Sequence, residues 1–318
     1  MLTPTQKKTA QAIVNIFETG SVLGDYGSVT IIAGDTGHLT FGRSQTTLST
    51  GNLGRLVQRY CDNAGARFRT RLALHLDRLV AKDEALDRDI QFHNLLRATA
   101  DDPVMRETQD VFFDQVYWAK AEREAQKQRV KTPLGVAVVY DSTVHGSWSL
   151  IRDRTTGESG DIDAIGERAW ISAYVAARLQ WLATHKRPDL RKTVYRMQAL
   201  LRLIEQGFWG LELPLVVRGL EISAASLTAF PPGCYEGPQA GSRFLSLQTP
   251  LARGLDVRLV QLALSDRGAD IKADGVFGQT SVRRISEYQA ANGLPMTGVA
   301  DVALIANLVD KAMAAPRA

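Results

Sequence analysis

Phe17-Glu18-Thr19-Gly20, followed by Tyr26-Gly27-Ser28-Val29-Thr30-Ile31-Ile32-Ala33-Gly34-Asp35-Thr36-Gly37-His38-Leu39-Thr40-Phe41-Gly42, is the stretch on which the reading of this chain turns. Upstream of it, Thr3, Pro4 and Gln6 form a helix start: an N-cap hydroxyl, a proline in the first turn, and a Thr-x-x-Gln capping box. Ala10, Ile13, Val14 and Phe17 recur at helical spacing and Gly20 supplies the stop, so a helix is expected over 3–19. Glu18 then lies in the last turn, where the negative end of the helix dipole disfavours a carboxylate, a bias suited to a proton donor. Downstream, 28–33 and 38–42 read as a short β-hairpin with Gly34-Asp35-Thr36-Gly37 as its turn. Two acids are thus held by different elements, as acid–base chemistry on one oxygen and one water requires.

Beyond this stretch the pattern is helical almost throughout, with helices expected near 52–63, 68–81, 83–98, 103–128, 133–145, 164–184 and 189–207. The fold class this pattern predicts is mainly α with a small β element, followed by a small separate module. Periodicity fades between about 220 and 250, where Phe230-Pro231-Pro232-Gly233-Cys234-Tyr235-Glu236-Gly237-Pro238 reads as a linker. The organisation expected is a larger domain over 1–220, a linker over 221–243 and a small module over 244–318.

Composition narrows the function classes. The chain of 318 residues carries a formal charge of +4. Residues 1–220 hold 29 Lys+Arg against 25 Asp+Glu, and residues 221–318 hold 9 of each, so the surplus lies in the larger part. A mildly basic surface suits a polyanionic substrate, but no basic cluster is interleaved with aromatics, which ranks nucleic acid low. No apolar run reaches the length of a membrane span, and no secretory h-region follows the start. Cys61 and Cys234 are too few for a disulfide framework, and no His/Cys/Glu cluster has zinc spacing. No cofactor and no metal are expected, nor is a Gly-x-Ser-x-Gly nucleophile elbow present.

The tail carries Val260-Gln261, Asp274-Gly275-Val276-Phe277-Gly278-Gln279-Thr280, Tyr288-Gln289, Asn292-Gly293-Leu294 and Thr297-Gly298-Val299, with Thr280 read as the cap of a helix. This order resembles the peptidoglycan-binding type 1 domain over 244–311. The first 220 residues resemble glycoside hydrolase family 46, the chitosanases and their lysozyme-like relatives. That resemblance rests on four blocks in order. The first runs from Leu2-Thr3-Pro4 through Phe17-Glu18-Thr19-Gly20 to Gly34-Asp35-x-Gly37-x-x-Thr40-x-Gly42. The second is Pro133-Leu134-Gly135 with Val139-Tyr140-Asp141-Ser142-x-Val144-His145-Gly146. The third is Trp170-x-x-Ala173-Tyr174-x-x-Ala177-Arg178, and the fourth runs from Tyr195-Arg196 to Leu211-x-Leu213-Pro214-Leu215.

The resemblance implies Glu18 as general acid, Asp35 as general base toward water, and Thr40 as the residue positioning that water. It implies Asp141, Arg178 and Arg196 as a charge network behind Glu18, and Tyr26, Gly42 and His145 as substrate-binding positions. Glycosidic hydrolysis uses two such carboxylates, and a wide separation between them gives inversion. The resemblance implies an α+β lysozyme-like catalytic domain of two lobes, with the cleft between them and Glu18 and Asp35 on opposite walls, and a three-helix binding module after it. The basic surplus and the appended module favour peptidoglycan as both substrate and wall ligand, hence a monomeric muramidase resembling a phage endolysin. Gly37-His38-Leu39 also lacks the Gly-Arg-Gly run associated with many chitosanases. Hydrolysis of a β-1,4-glucosamine polymer is the alternative, and a non-catalytic wall-binding protein the third. Absence of a signal implies cytoplasmic synthesis, with release by a holin or delivery by a secretion machine.

Overall fold

The structure is a computed structural model that describes residues 2–313 except Ala33, Asp35 and Ser44. Asp35, the expected general base, therefore lies outside the described residues. Helices dominate, as the sequence predicts, and the described residues also form two small antiparallel sheets where one hairpin was expected. The chain divides into two compact units that do not follow chain order. One comprises 1–24 and 111–230, the other 25–110 and 231–318.

The first unit is built around helix α1 (Pro4–Thr19) and the helices Pro133–His145, Trp148–Ser159, Glu167–Ala183 and Tyr195–Glu205. The start of α1 is the expected one: the Gln6 N–H donates to the Thr3 hydroxyl at 3.2 Å and the Thr3 N–H to Gln6 Oε1 at 2.9 Å. Gly20 closes it in the left-handed region, φ 69°, donating its N–H to the Ile16 carbonyl. Ala10, Ile13, Val14 and Phe17 face a core shared with Val136, Val139, Tyr140, Trp170, Ile171, Tyr174 and Leu200. The Pro133–His145 helix is apolar all round because it runs through that core.

Several expected helices are broken where a side chain or a glycine offers the backbone a better local partner. The 68–81 helix is two short ones, Arg69–Ala73 and Leu76–Val80. The 83–98 helix begins as a 3-10 turn, Glu84–Arg88, and restarts at Ile90–Thr99 because the Asp83 and Asp89 carboxylates each cap a new start. Gly166, at φ 83°, separates Ile162–Ile165 from Glu167–Ala183. A π-helical segment, Asp114–Trp118, interrupts the 103–128 run. Three features escaped the periodicity reading: the Trp148–Ser159 helix, a hairpin and a short helix after it. Strands β4 (Leu215–Val217) and β5 (Leu220–Ile222) pair across Arg218-Gly219, both at positive φ. A capped short helix, Ala224–Thr228, follows.

In the second unit, β1 (Val29–Thr30), β2 (Thr40–Phe41) and β3 (Thr46–Thr47) form a three-strand sheet, one strand more than the hairpin expected. The register pairs Val29 with Phe41 and Thr30 with Thr40. Phe41, Leu39 and Leu48 anchor it in a core with Leu53, Val57, Tyr60, Phe92 and Leu96.

The C-terminal module belongs to the same unit. Its helices are Leu255–Ser265, Gln279–Ala291 and Val302–Met313. The second is capped by the Gly278 backbone, not by Thr280, which lies inside the first turn. The Gln261 side chain holds the Asp274-Gly275 turn, donating to Asp274 and to the Val276 carbonyl while accepting from the Gly275 N–H. The stretch expected as a linker is anchored: Cys234 is buried against Tyr26 and Ala100, and the Tyr235 N–H donates to Asp101 at 2.7 Å.

The module meets the Ile90–Thr99 helix through buried polar groups. Asn94 donates to Ser265 Oγ and to the Ile271 carbonyl and accepts from the Ala273 N–H. Arg258 Nε and Asp101 Oδ2 lie 2.7 Å apart, both buried. Their N–H and oxygen are not aligned for a hydrogen bond, so the contact is an ion pair. Burial raises the Asp101 carboxyl to about 6, with Arg258 and the Tyr235 N–H opposing. A folded-state value above the unfolded one makes the folded protein hold the proton that the unfolded chain has released. The contribution of Asp101 is therefore full below the ordinary carboxyl value of 3.8 and is lost as pH rises through about 6. Asp101→Asn is expected to flatten the dependence of Tm on pH between about 4 and 6, a change of a few degrees readable by scanning calorimetry. An unchanged slope would refute it.

Candidate active site

Glu18 is set at the end of α1 by the helix period: Phe17 points into the core, and the next residue lies one position round, a quarter exposed. Its carboxylate accepts from Arg196 Nη2. Arg196, from the Tyr195–Glu205 helix, is 3 % exposed, and its guanidinium lies 5.5 Å over the Phe17 ring. The same fork donates from Nη1 to Asp141 Oδ1 at 2.6 Å. Asp141, from the Pro133–His145 helix, has no solvent exposure, and its second oxygen accepts from Arg178 Nη1 at 2.6 Å. Arg178, itself wholly buried, also donates to Ser142 Oγ, to the Gly146 carbonyl and to Ser147 Oγ.

The result is a chain of alternating charges, Glu18–Arg196–Asp141–Arg178, running from a partly exposed acid into the core. Burial alone would push the Asp141 carboxyl up, but Arg196 and Arg178 overcome it and hold the group below the ordinary range. Burial likewise works against the Arg196 cation, and Asp141 and Glu18 overcome it. Two cations and two anions desolvated together need each other, so the network fixes the rotamer of Glu18 from behind.

His145 closes the network. Its Nδ1 lies 3.0 Å from Arg178 Nη2; a guanidinium can only donate, so Nδ1 accepts and the neutral ring carries its proton on Nε2. Burial lowers its pKa to about 4, with the Arg196 and Arg178 charges in the same direction and Asp141 against. His145 is therefore neutral at pH values well above 4. The pH–rate profile should show no limb near 6.5, and His145→Gln should leave the profile's inflections within about half a pH unit of their original positions. A limb near 6.5 that disappears in this variant would refute the assignment.

The other predicted residues lie in the second unit. Thr40 opens β2 opposite Thr30, and its hydroxyl donates to the His38 carbonyl at 3.1 Å. His38, at φ 57°, has Nδ1 2.9 Å from Asp87, which also accepts from the Leu39 N–H. Gly42 adopts φ 77°, and a Cβ there would meet the Gln109 amide at 2.4 Å, so only glycine fits. Tyr26 is buried, and its hydroxyl donates to Asp110 at 2.7 Å and accepts from Arg43 Nη1 at 3.1 Å. Gln109 ties both ends of this loop, donating to the Tyr26 carbonyl and accepting from the Arg43 N–H.

Glu18, Arg196, Asp141, Arg178 and His145 thus meet in one cluster, while Tyr26, Thr40 and Gly42 share the β-loop region. Tyr195 is a support that the sequence reading did not single out. Its hydroxyl donates to the Phe17 carbonyl at 2.9 Å and its ring meets Phe17 edge-on, bracing the end of α1. Its adjacency to Arg196 was the available signal. Arg43, Gln109 and Asp110 were also missed, and Gln109 and Asp110 carry no local signal, since they reach Tyr26 only through the fold.

Comparison with known proteins identifies the family. The family model described as glycosyl hydrolase family 46 matches residues 12–215, and one described as a putative peptidoglycan binding domain matches 253–308. A chitosanase of Bacillus subtilis (strain 168) is 29% identical over 236 residues, spanning 69% of this chain and 84% of its own. Among solved structures, a chitosanase from Bacillus subtilis MY002 complexed with 6 GlcN superposes with a TM-score of 0.58 at 25% identity, covering 69% of this chain and 96% of that one. A Gynuella sunshinyii chitosanase complexed with chitotetraose gives a TM-score of 0.57 at 25% identity, covering 70% and 98%. With its family model spanning most of the chain and joined to a peptidoglycan-binding domain, this protein belongs to glycosyl hydrolase family 46 and is a glycoside hydrolase.

Proposed function

We propose that the protein is an endo-acting, inverting hydrolase of β-1,4-linked amino-sugar polymers, with a glucosamine polymer of the chitosan type as the first substrate to test. Membership of family 46 carries this reading, and the relatives named above, chitosanases by description, support the substrate. They reverse the order of the sequence reading, which put wall glycan first. Glu18 is the proton donor to the departing glycosidic oxygen, and the ion-paired residues behind it hold its carboxyl toward that oxygen. Asp35 takes the proton from the attacking water, and Thr40 orients that water. The proton balance closes in one step: Glu18 loses one to the leaving group, Asp35 gains one from water, and solvent exchange resets both.

A second reading, hydrolysis of peptidoglycan strands, is favoured by one observation, the peptidoglycan-binding domain at 253–308. Incubation with chitosan and with purified sacculi, followed by mass spectrometry of the new reducing ends, separates the two. Glucosamine oligomers without muropeptides support the first reading, and muropeptides alone support the second. Absence of new reducing ends from either overturns both in favour of a wall-binding protein without turnover.

A further inference from the structure

Within the first unit, a groove of about 590 Å³ is lined by the Tyr195–Glu205 helix on one side and the β4–β5 hairpin on the other. Tyr195, Gln198, Arg202 and Glu205 recur at helical spacing, so one face of the helix forms its wall. From the hairpin come Val216, 61 % exposed, and Arg218. Arg218 and Gly219 take φ 51° and φ 81° at the hairpin tip, a backbone that fixes where the arginine stem starts. The Arg218 guanidinium lies 3.8 Å over the Tyr195 ring. A guanidinium held against an aromatic face keeps its in-plane N–H groups to give. Among the described residues neither Arg202 nor Arg218 is ion-paired to a carboxylate. Glu205 is the one acid among the described lining residues, and it pairs with neither. The groove also adjoins the expected proton donor. The Tyr195 hydroxyl donates to the Phe17 carbonyl at 2.9 Å, and the next residue, Arg196, pairs with Glu18.

We propose that this groove is a further glycan subsite, in which Arg202 and Arg218 take a carboxylate carried by the bound strand. An arginine fork matches a carboxylate with two parallel N–H···O bonds, and two forks in one groove leave a net positive site for it. Val216 offers methyl groups to the carbon skeleton that bears the acid. The proposal rests on the glycosidase reading and deepens its second form, because lactyl ethers and stem peptides both put carboxylates on a wall strand. A glucosamine polymer carries ammonium groups instead and meets two like charges there.

The test is calorimetric titration of the full-length Glu18→Gln protein, which leaves strands uncut, and of the same chain with Arg202→Gln or Arg218→Gln added. Three probes are used: wall strands stripped of stem peptides, strands that retain them, and the uncharged N-acetylglucosamine hexamer. Each added substitution is expected to weaken binding of carboxylated strands about 10-fold, the scale of a charge-assisted hydrogen bond, and to leave the hexamer unaffected. A loss seen on stripped strands assigns the lactyl carboxylate, and a loss confined to peptide-bearing strands assigns the stem carboxylates. Either supports the proposal. Unchanged binding of both kinds of strand overturns it, as does an equal fall for strands and hexamer. Arg202→Gln keeps the Arg218 stack on Tyr195, so its effect is separate from any loosening at Phe17. Thermal melts of both variants should match the parent, since both side chains are exposed. If the wild type releases no reducing ends from any glycan, the glycosidase reading fails on its own, and the titration still decides the subsite.

Discussion

Replacing Glu18 by glutamine is expected to lower turnover about 10²- to 10⁴-fold, the span that a positioned general acid contributes, without disturbing the fold. The amide keeps an oxygen that can accept from Arg196, and Arg196 keeps its bond to Asp141, so no buried cation is abandoned. Only the transferable proton is lost. The measurement is the rate of reducing-end release at saturating polymer, beside a thermal melt. Loss of a proton donor also predicts a smaller deficit on a substrate whose leaving group departs without protonation, such as an aryl glycoside. Residual activity within tenfold of wild type on the polymer would remove Glu18 from the donor role.

The second large effect is on stability. Asp141→Ala takes away the one carboxylate that, among the described residues, touches both Arg178 and Arg196, which are 0 % and 3 % exposed. Breaking a buried ion pair from one side costs about 3–5 kcal/mol, because the orphaned charge remains desolvated. For a chain of this size that corresponds to a fall in Tm of roughly 4–8 °C. The same change frees the Arg196 fork on its inner side, so Glu18 loses the support that fixes its position, and activity should fall with stability. A melt within about 2 °C of wild type would show that the network is less coupled than its geometry requires. Glu18→Gln and Asp141→Ala together separate chemistry from support: the first should leave the melt and lose the rate, the second should lose both.

Much of this was legible in the linear chain where the signal is local. The capping box at Thr3 and Gln6, the apolar stripe of α1 and the left-handed Gly20 need only a few consecutive residues, and they place Glu18 at a helix end. Gly42 was legible only as a motif position; its left-handed backbone and the close approach of the Gln109 amide come from the fold. The breaks at Asp89 and Gly166 were missed because helical periodicity continues across them. Their cause is competition from a carboxylate or a glycine for the backbone, not a change in apolar pattern.

The sequence by itself determined the class of the protein, because four motif blocks in order and a C-terminal signature survive without any knowledge of distance. Tertiary structure alone decided which charges meet. Arg196 reaches Glu18 across 178 positions and Asp141 across 55, separations over which no spacing rule operates, and only burial in one core makes their pairing obligatory. It also decided where the C-terminal module rests. Asn94, Asp101 and Arg258 look like ordinary surface polar residues in the chain, yet they are buried together, because the Ile90–Thr99 helix and the module's first helix cover each other's polar groups when they pack.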